Sequence, residues 1–252
     1  MNDEASGLAP SVALPSSRAS AEAPDDLPAI PDYLRETYWW AYLHPNAIHV
    51  FEREWLVNLI LWGNMSRLTQ AVLEEIPGGQ CRDVLQLACV YGRFSDRLAA
   101  HLAPGGAKLH LLDIAAIQLR NARRKLAPHR NVRYHHQDSS ALCFHSGCFD
   151  ASVLFFLLHE QPEPVRRDTL REALRVTKPG GKLVIVDYHG PGRMNPWRYL
   201  MRPVLHWLEP FALDLWRHPM AAFLPRAVDP GSVQTTLYFG GLYQKTVIQL
   251  PH

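Results

Sequence analysis

The stretch VLQLACVYGRFS, residues 84–95, joins a short apolar run to a helix-like segment through a turn with one glycine. An apolar strand that leads through such a turn into a helix is the arrangement with which parallel α/β sheets bind nucleosides. In the common pattern the turn reads acid, x, glycine, x, glycine, x, glycine; here those places hold Gln86, Ala88, Val90 and Gly92. A turn with so few glycines also fits an ordinary strand-to-helix connection that binds no ligand.

Short apolar runs and helix-like segments alternate downstream of residue 82. The runs are DVLQLACV, AKLHLLDI, VRYHHQD, FDASVLFFLL and GKLVIVDYH, and the segments between them include FSDRLAAHL, AAIQLRNARRKLA and PEPVRRDTLREALRVT. This order predicts an α/β fold of Rossmann-like type, a mainly parallel sheet with helices on both faces. The turn KPGG at 178–181 is expected to launch the fifth strand, and QTTLYFGGLYQKTVIQL predicts two antiparallel strands at the sheet edge.

Composition divides the chain into three parts. Residues 1–31 are rich in Ala, Ser, Pro and acids and are predicted to form a disordered tail. Residues 32–77 predict a helical N-terminal cap, with Asp32 as a helix N-cap and Phe51, Trp55, Leu59 and Trp62 at helical spacing. Residues 78–252 predict the α/β domain, with an aromatic helical insertion at 190–226.

Net charge and the spacing of the cysteines narrow the classes of protein to which this chain can belong. A formal net charge of +2 gives no general reason to expect nucleic acid as a partner. The four cysteines, at 81, 89, 143 and 148, have spacings that fit neither a paired zinc motif nor a secreted disulfide framework. The acidic start and the lack of a long apolar run predict a protein that is neither exported nor transmembrane.

Two acidic residues follow successive predicted strands, where ligands of such sheets bind. Asp113 comes about 20 residues after the turn, the place from which a carboxylate accepts hydrogen bonds from both ribose hydroxyls. Asp138, with Ser139, ends the next strand and is placed to meet an adenine amino group. Each aspartate alone also fits a helix N-cap.

These residues and their order resemble the class I S-adenosylmethionine-dependent methyltransferases. The similarity covers about residues 80–190 and includes the strand FDASVLFFLLHE and the segment EALRVTKPGGKLVIVDYH. The resemblance implies that S-adenosylmethionine occupies the predicted nucleoside site.

A second resemblance extends over nearly everything after residue 32. The strings YWWAYL, ACVYGRFS, FFLLHEQPEPVRR, VIVDYH, RYLMRPVL, EPFALDLWRH and FGGLYQK are similar to the RquA family of rhodoquinone biosynthesis proteins. That family is understood to convert ubiquinone to rhodoquinone, replacing a ring methoxy group by an amino group. The resemblance implies S-adenosylmethionine as amino donor, manganese as a second cofactor and ubiquinone as a lipid-soluble substrate.

The resemblance and the strand-end positions together predict a site. Its cofactor-binding residues are expected to be Gln86, Ala88, Val90, Tyr91, Gly92, Asp113, Ile114, Gln118, Asp138, Ser139 and Phe155. The expected catalytic residues are His159, Glu160 and Tyr188, and the expected metal ligands are Glu160, Asp187 and His189. Each of these side chains also fits a cap or a strand-end hydrogen bond. The changed turn is expected to remodel the wall that normally fixes the amino acid part of the cofactor, with Val90 excluding the methyl-donating pose.

The insertion at 190–226 is rich in Trp and Arg. Trp197, Trp207 and Trp216 supply interfacial side chains, and arginines lie among them at 193, 198, 202 and 217. The segment is predicted either to dock on the cytoplasmic face of a bacterial inner membrane, where ubiquinone is dissolved, or to form a lid on the domain. Two other functions fit the sequence: a conventional methyltransferase acting on a quinone precursor, and a non-catalytic quinone-binding scaffold.

Overall fold

The computed structural model describes residues 28–40, 44, 50–209 and 211–252. The helices are α1 (Asp32–Thr37), α2 (Glu54–Ile60), α3 (Met65–Leu73), α4 (Phe94–Leu102), α5 (Ala116–Lys125), α6 (Glu163–Val176), α7 (Pro196–Leu208) and α8 (Ala212–Arg217). The strands are β1 (Asp83–Leu87), β2 (Lys108–Asp113), β3 (Val132–His136), β4 (Phe149–Phe155), β5 (Thr177–Tyr188), β6 (Val233–Tyr238) and β7 (Tyr243–Gln249). The predicted disordered tail lies outside the described residues, except for 28–31.

One seven-stranded sheet runs in the order β3-β2-β1-β4-β5-β7-β6. The first five strands pair in parallel, whereas β7 is antiparallel to both β5 and β6. The predicted Rossmann-like α/β fold with an antiparallel last strand is therefore confirmed. The reversal of chain order between β1 and β4 creates a crevice beyond the strand ends, which is where ligands bind in open α/β sheets.

The sheet has a hydrophobic core on each face. The last four residues of β1 are buried, as expected for a central parallel strand covered on both sides. Leu98 of α4 packs in one core with Val84, and Leu170 of α6 packs in the other with Leu85. Neighbouring residues of β1 thus face opposite cores, which fixes the register of the strand.

The KPGG segment differs from its prediction. It lies inside β5 instead of preceding the strand, and the pairing register with β4 shifts between Phe149 and Ala151. Gly180 has a φ of +72°, a conformation that favours glycine. The segment is thus a bulge in a longer strand, and the same glycine chemistry that predicts a turn serves this purpose.

The N-terminal cap also departs from its predicted boundaries. Helix α1 begins at Asp32, but the N-cap position belongs to Pro31. The aromatic pattern from Phe51 onward predicts one continuous helix, yet the chain turns between α2 and α3, where Trp62 and Gly63 have φ values of +50° and +77°. The break allows α3 to pack on the sheet while α2 extends over the crevice.

Ala88, directly after β1, has a φ of +71°. A side chain with a Cβ is strained in this left-handed region, by about 1–2 kcal/mol. The strained residue occupies the place where the common nucleoside-binding turn has its first glycine.

Ala88→Gly should therefore raise the free energy of unfolding by about 1 kcal/mol, the strain released less the added chain entropy. Denaturant titration measures this change. Ala100→Gly, at an exposed position inside α4, is the matched control and should lower stability by about 1 kcal/mol. Equal destabilisation by both substitutions would contradict the assignment of strain to Ala88.

Candidate functional site

Gln86 supports the turn after β1 from its buried side. This side chain is fully buried, and its amide nitrogen donates hydrogen bonds of 2.9 Å each to the Ala88 carbonyl and the Ser95 hydroxyl. Gln86 lines neither of the cavities described below. The structure thus shows Gln86 bracing the turn, and its predicted contact with the cofactor stays a prediction without geometric support.

Lys125 of α5 holds the same turn from the side. Its Nζ donates to the carbonyls of Val90, at 2.8 Å, and Gly92, at 3.0 Å, and to the Glu52 carboxylate, at 2.8 Å. Glu52 belongs to the N-terminal cap. One ammonium group therefore ties the turn to the cap.

Asp113 lies at the end of β2, beneath the crevice. Its Oδ2 accepts a hydrogen bond from the Cys89 amide and its Oδ1 accepts one from the Ala115 amide, both at 2.8 Å. Burial raises the pKa of Asp113, and these two donors partly offset that effect. The carboxylate thus connects the β1 turn to the start of α5, and each oxygen retains a second lone pair for a ligand.

A narrow cleft opens above Asp113, and we call it the cofactor cleft. Six of the predicted cofactor-binding residues line it: Ala88, Asp113, Ile114, Gln118, Asp138 and Ser139. Tyr33 and Leu34 of α1 cover it from outside and leave about 50 Å³ of free volume. That volume holds only a few water molecules, so the cleft in this structure is too small for a nucleoside.

The other predicted cofactor residues lie elsewhere. Val90, Tyr91 and Phe155 line a second cavity, and Phe155 stacks on Phe94 with ring centroids 3.9 Å apart. Gly92 has a φ of +76° and faces Val57 of α2. These residues therefore shape the turn and the neighbouring cavity, and the cofactor-contact prediction for them is not supported by the geometry.

The second cavity, which we call the apolar cavity, has a volume of about 570 Å³. Aromatic and aliphatic side chains of α2, α7 and the strand ends form most of its wall. Ala88, Cys89 and Glu160 line both this cavity and the cofactor cleft. The two spaces thus meet at the turn after β1, and a molecule in one can contact a molecule in the other.

The polar groups of the apolar cavity gather at one corner, around His159. The His159 Nδ1 donates to Asp187 Oδ1 at 2.9 Å. Asp187 is fully buried and also accepts hydrogen bonds from the backbone amides of Leu158, His159 and Tyr188. Burial alone would lower the pKa of His159, but the Asp187 carboxylate beside it, with Glu209 and Glu160, raises that pKa to about 9. His159 is therefore an imidazolium at neutral pH.

Two carboxylates face the other ring nitrogen of His159. Its Nε2 lies 3.8 Å from Glu160 Oε1 and 3.9 Å from Glu209 Oε2, beyond hydrogen-bond distance. The fully buried Tyr38 interacts with Glu209, whose pKa is raised by burial. Sequence reasoning missed Glu209 and Tyr38, because neither lies at a strand end and no spacing links them to His159.

Tyr188, a predicted catalytic residue, also lines the apolar cavity. Its ring meets the His159 ring edge-on, with centroids 4.9 Å apart. Burial raises the pKa of Tyr188 well above its usual value, so the phenol stays protonated. The three predicted catalytic residues are thus adjacent.

The predicted metal ligands do not converge in the described residues, so the metal prediction gains no support from the structure. Both Asp187 oxygens already accept hydrogen bonds from the backbone and from His159. The His189 Nδ1 is 2.7 Å from the Gly241 carbonyl oxygen, and His189 lines neither cavity. Across the part of the chain that the structure describes, no three His, Cys, Asp or Glu side chains are placed to hold a metal ion. The residues present do not fit manganese, so no step is assigned to it.

The two helices beside the apolar cavity carry exposed apolar side chains, which we call the apolar rim; four of them, Leu59, Ile60, Trp62 and Val204, also line the cavity. From α2 and its end come Trp55, Leu59, Ile60 and Trp62, and from α7 come Tyr199, Leu200, Val204 and Trp207. Trp207 is 84% exposed and Trp55 is 61% exposed. The Trp62 indole joins the two helices, lying 4.4 Å from the Trp197 ring centroid and donating to the Met201 sulfur at 3.2 Å.

The insertion both covers the domain and presents this rim. Met201 and Leu205 of α7 and Leu215 of α8 are buried against the domain, so a lid is present. Arg198 donates to the Pro191 carbonyl, while Arg202 is exposed beside the rim. No helix within the described ranges combines the length and apolar character needed to cross a bilayer.

Comparison of the sequence with known proteins finds similarity to methyltransferases. A methyltransferase-domain family model matches residues 84–181. A demethylmenaquinone methyltransferase from Clavibacter sepedonicus is 38% identical over 108 residues, which are 43% of this chain and 42% of that protein. The ubiquinone/menaquinone biosynthesis C-methyltransferase UbiE from Ectopseudomonas mendocina is 31% identical over 145 residues, which are 56% of this chain and 55% of that protein. The chain spans about half the length of these relatives.

A solved structure agrees with the fold. The O-methyltransferase family protein from Burkholderia thailandensis has a TM-score of 0.61 at 17% identity, covering 83% of this chain and 61% of that one. The chain therefore has the Rossmann-like fold of the class I methyltransferases. The matched domain and the relatives support S-adenosylmethionine as its cofactor.

The role of Asp187 in keeping His159 protonated can be tested by substitution. Asp187→Asn keeps the shape of the side chain but removes its charge, so the pKa of His159 should fall from about 9 by roughly 1–3 units. An NMR titration measures this value, with His159→Gln identifying the resonance. Because the folded pKa exceeds that of unfolded histidine, about 6.5, the charge stabilises the fold below pH 6.5, and this contribution is lost as the pH rises through 9. An unchanged pKa in the variant would show that Asp187 is not the group that holds the proton.

Proposed function

We propose that this chain converts ubiquinone to rhodoquinone, exchanging a ring methoxy group for an amino group taken from S-adenosylmethionine. The observation that carries the proposal is the 570 Å³ apolar cavity that shares a wall with the cofactor cleft. Its size and apolar lining suit a drug-sized apolar molecule, and its one polar corner suits a ring that carries oxygen atoms.

The shape of the cavity supports a prenylated quinone as the substrate. The polar groups at His159 and Glu160 lie at the inner end, next to the cofactor cleft, and the apolar rim lies beside the cavity on α2 and α7. A quinone fits with its ring at the inner end and its isoprenoid tail running to the mouth. Each buried methylene of such a tail contributes about 0.8 kcal/mol. The relatives, by their names, act on menaquinone and ubiquinone precursors, which supports the same substrate class.

The turn after β1 supports transfer of the amino group over transfer of the methyl group. When bound, S-adenosylmethionine supplies either a sulfonium methyl or an α-amino group, and these lie at different ends of its amino acid part. Ala88 and Val90, which replace two glycines of the common turn, line the cavities and change the shape of the wall, and the buried Gln86 beneath the turn replaces its acid. An enzyme that presents the α-amino group of S-adenosylmethionine, instead of its methyl group, requires a wall of different shape.

The corner around His159 supplies the proton transfers that substitution on the ring needs. Substitution joins the amine nitrogen to the ring carbon and breaks the carbon–methoxy bond, and the methoxide leaves as methanol with the proton that nitrogen loses. To leave the amino group on the ring, the bond between nitrogen and Cα of the amino donor would then break by elimination, with a Cβ proton passing to nitrogen and a carbon–carbon double bond remaining on the donor. The His159 imidazolium, whose pKa is about 9, donates a hydrogen bond to ring oxygen and can protonate the leaving methoxide. Glu160, which lines both cavities, is placed to accept the proton from the amine.

A second function, methylation of a ring carbon in a quinone precursor, is favoured by the names of the relatives. It uses the same two cavities and the same base. The two functions differ in which part of the cofactor reaches the ring.

Isotopic labelling separates the two functions. The protein is incubated with ubiquinone and S-adenosylmethionine that carries ¹⁵N in its α-amino group and ¹³C in its methyl group, and the quinone is analysed by mass spectrometry. The proposal expects ¹⁵N in the product and the loss of one methoxy group, with no gain of ¹³C. Incorporation of ¹³C would establish the methyltransferase. Neither label in the quinone, with binding retained, would leave a quinone-binding scaffold.

We also propose that the apolar rim docks on the cytoplasmic face of a bacterial inner membrane. Trp55 and Trp207 are suited to the headgroup level of a bilayer, and Arg202 beside them is suited to anionic lipids. With the rim in the bilayer, the mouth of the apolar cavity faces the lipid in which ubiquinone is dissolved, so the tail need not leave that lipid.

Leu200→Gln combined with Trp207→Gln should weaken binding to anionic vesicles by about tenfold or more, since two side chains lose apolar burial. Flotation measures this binding. Turnover of long-tailed ubiquinone should fall, while turnover of a short-tailed water-soluble analogue should be retained. Leu237→Gln is the matched control, because Leu237 is about as exposed as Leu200, at 49% and 51%, but lies outside the rim on β6. If the double variant floats as well as the control, another surface meets the membrane.

A further inference from the structure

One polar atom in the wall of the cofactor cleft has no hydrogen-bond partner. Gln161, in the turn that follows His159 and Glu160, lines the cleft and is only 1% exposed. Its side-chain oxygen, Oε1, is buried and accepts no hydrogen bond from the described residues. Of the described residues that line this cleft, no other has a buried side-chain nitrogen or oxygen atom in that condition. A buried amide oxygen without a donor is costly, and a ligand in the cleft can supply the missing donor.

The rest of the Gln161 residue is held in place by hydrogen bonds. Its amide nitrogen, Nε2, donates to the Ser139 hydroxyl at 3.1 Å, and that hydroxyl lies 3.1 Å from the Thr169 hydroxyl on α6. All three side chains are buried. The backbone carbonyl of Gln161 accepts a hydrogen bond of 2.9 Å from the buried Arg166. Because the nitrogen is engaged, the oxygen is the atom left for a ligand, and that ligand must offer an N–H or O–H donor.

The contact with Ser139 places Gln161 at one end of the cofactor cleft. Ser139 follows Asp138, and both line the cleft beyond β3, whereas Asp113, the expected ribose ligand, ends the neighbouring β2. Asp138 is the residue expected to meet the adenine amino group, so Gln161 lies at the same end as the base. An adenine 6-amino group carries two hydrogens, and Asp138 and Gln161 can each accept one. Glutamine and asparagine amides commonly accept a hydrogen bond from this group where proteins recognise adenine.

We infer that Gln161 recognises the adenine base of the cofactor, its Oε1 accepting a hydrogen bond from the 6-amino group. The base takes the place beside the amide that the Tyr33 phenol fills in this structure, where that phenol interacts with Gln161. The inference rests on the proposed function for the identity of the cofactor, and it adds a residue that selects the base. Sequence reasoning missed Gln161 because it lies past the end of β4, where topology alone does not place a ligand contact.

Binding measurements test this contact without turnover. The two probes are S-adenosylhomocysteine and its analogue that carries hydrogen in place of the 6-amino group of the base, and calorimetry gives the affinity for each. The parent protein should bind S-adenosylhomocysteine at least about tenfold more tightly, since the analogue leaves buried acceptors without a donor. Gln161→Met keeps the length of the side chain but removes the acceptor. In this variant the ratio of affinities should fall about fivefold, the size of one net hydrogen bond, while the affinity for the analogue is retained.

Three further variants make the result specific. Gln161→Glu keeps an acceptor oxygen and should retain most of the preference for S-adenosylhomocysteine. Gln70→Met, on the exposed surface of α3, makes the same replacement away from the cleft and should keep the parent ratio. Asp138→Ala removes the other expected acceptor, so combining it with Gln161→Met should bring the ratio close to one.

Three outcomes would overturn the inference. A parent ratio in Gln161→Met would show that another group meets the 6-amino group. An equal loss of affinity for both probes would show that Gln161 only supports the shape of the cleft. A parent protein that does not bind S-adenosylhomocysteine would overturn the cofactor assignment and this inference with it. None of these measurements involves transfer to the quinone, so they are distinct from failure of amino transfer, which the isotope experiment decides.

Discussion

A buried carboxylate organises the carboxyl edge of this sheet. Asp187 ends β5 with no exposed surface, and it is stable there because each oxygen accepts hydrogen bonds from backbone amides or from His159. The same bonds fix the turn after β4, from which His159 and Glu160 project. The protonation of His159 and the shape of the polar corner both depend on this one desolvated charge.

The sequence predicts the sheet well because its strands are central and buried. Apolar runs that alternate with helix-like segments leave little freedom in a parallel sheet, so the strands at 83–87 and 149–155 lie where the pattern indicates. The breaks in the elements are harder to predict. The bulge at Gly180 resembles a turn in sequence, and the end of α2 depends on positive φ values at Trp62 and Gly63, which no periodicity reveals.

The sequence predicts only part of the site, because the order of strands and helices fixes where a residue lies but not which way its side chain points. Residues at strand ends, such as Asp113 and His159, can be placed from topology alone. Whether a side chain faces inward for support, as Gln86 does, or outward to a ligand depends on hydrogen bonds that topology does not specify. Glu209 and Tyr38 reach the corner from the insertion and the cap, so only the tertiary packing brings them to His159.

The two helices that roof the apolar cavity come from opposite ends of the chain, α2 at 54–60 and α7 at 196–208, and they meet through Trp62. The methyltransferase-domain match, at 84–181, begins after the first and ends before the second. The part of the molecule that matches the methyltransferase-domain model thus supplies Asp113 and His159, while Asp187 and most of the apolar wall lie outside it. Such a separation lets the cofactor machinery stay constant while the roof diverges, so exchange of roof helices between relatives is a route to new acceptors that leaves the core unaltered.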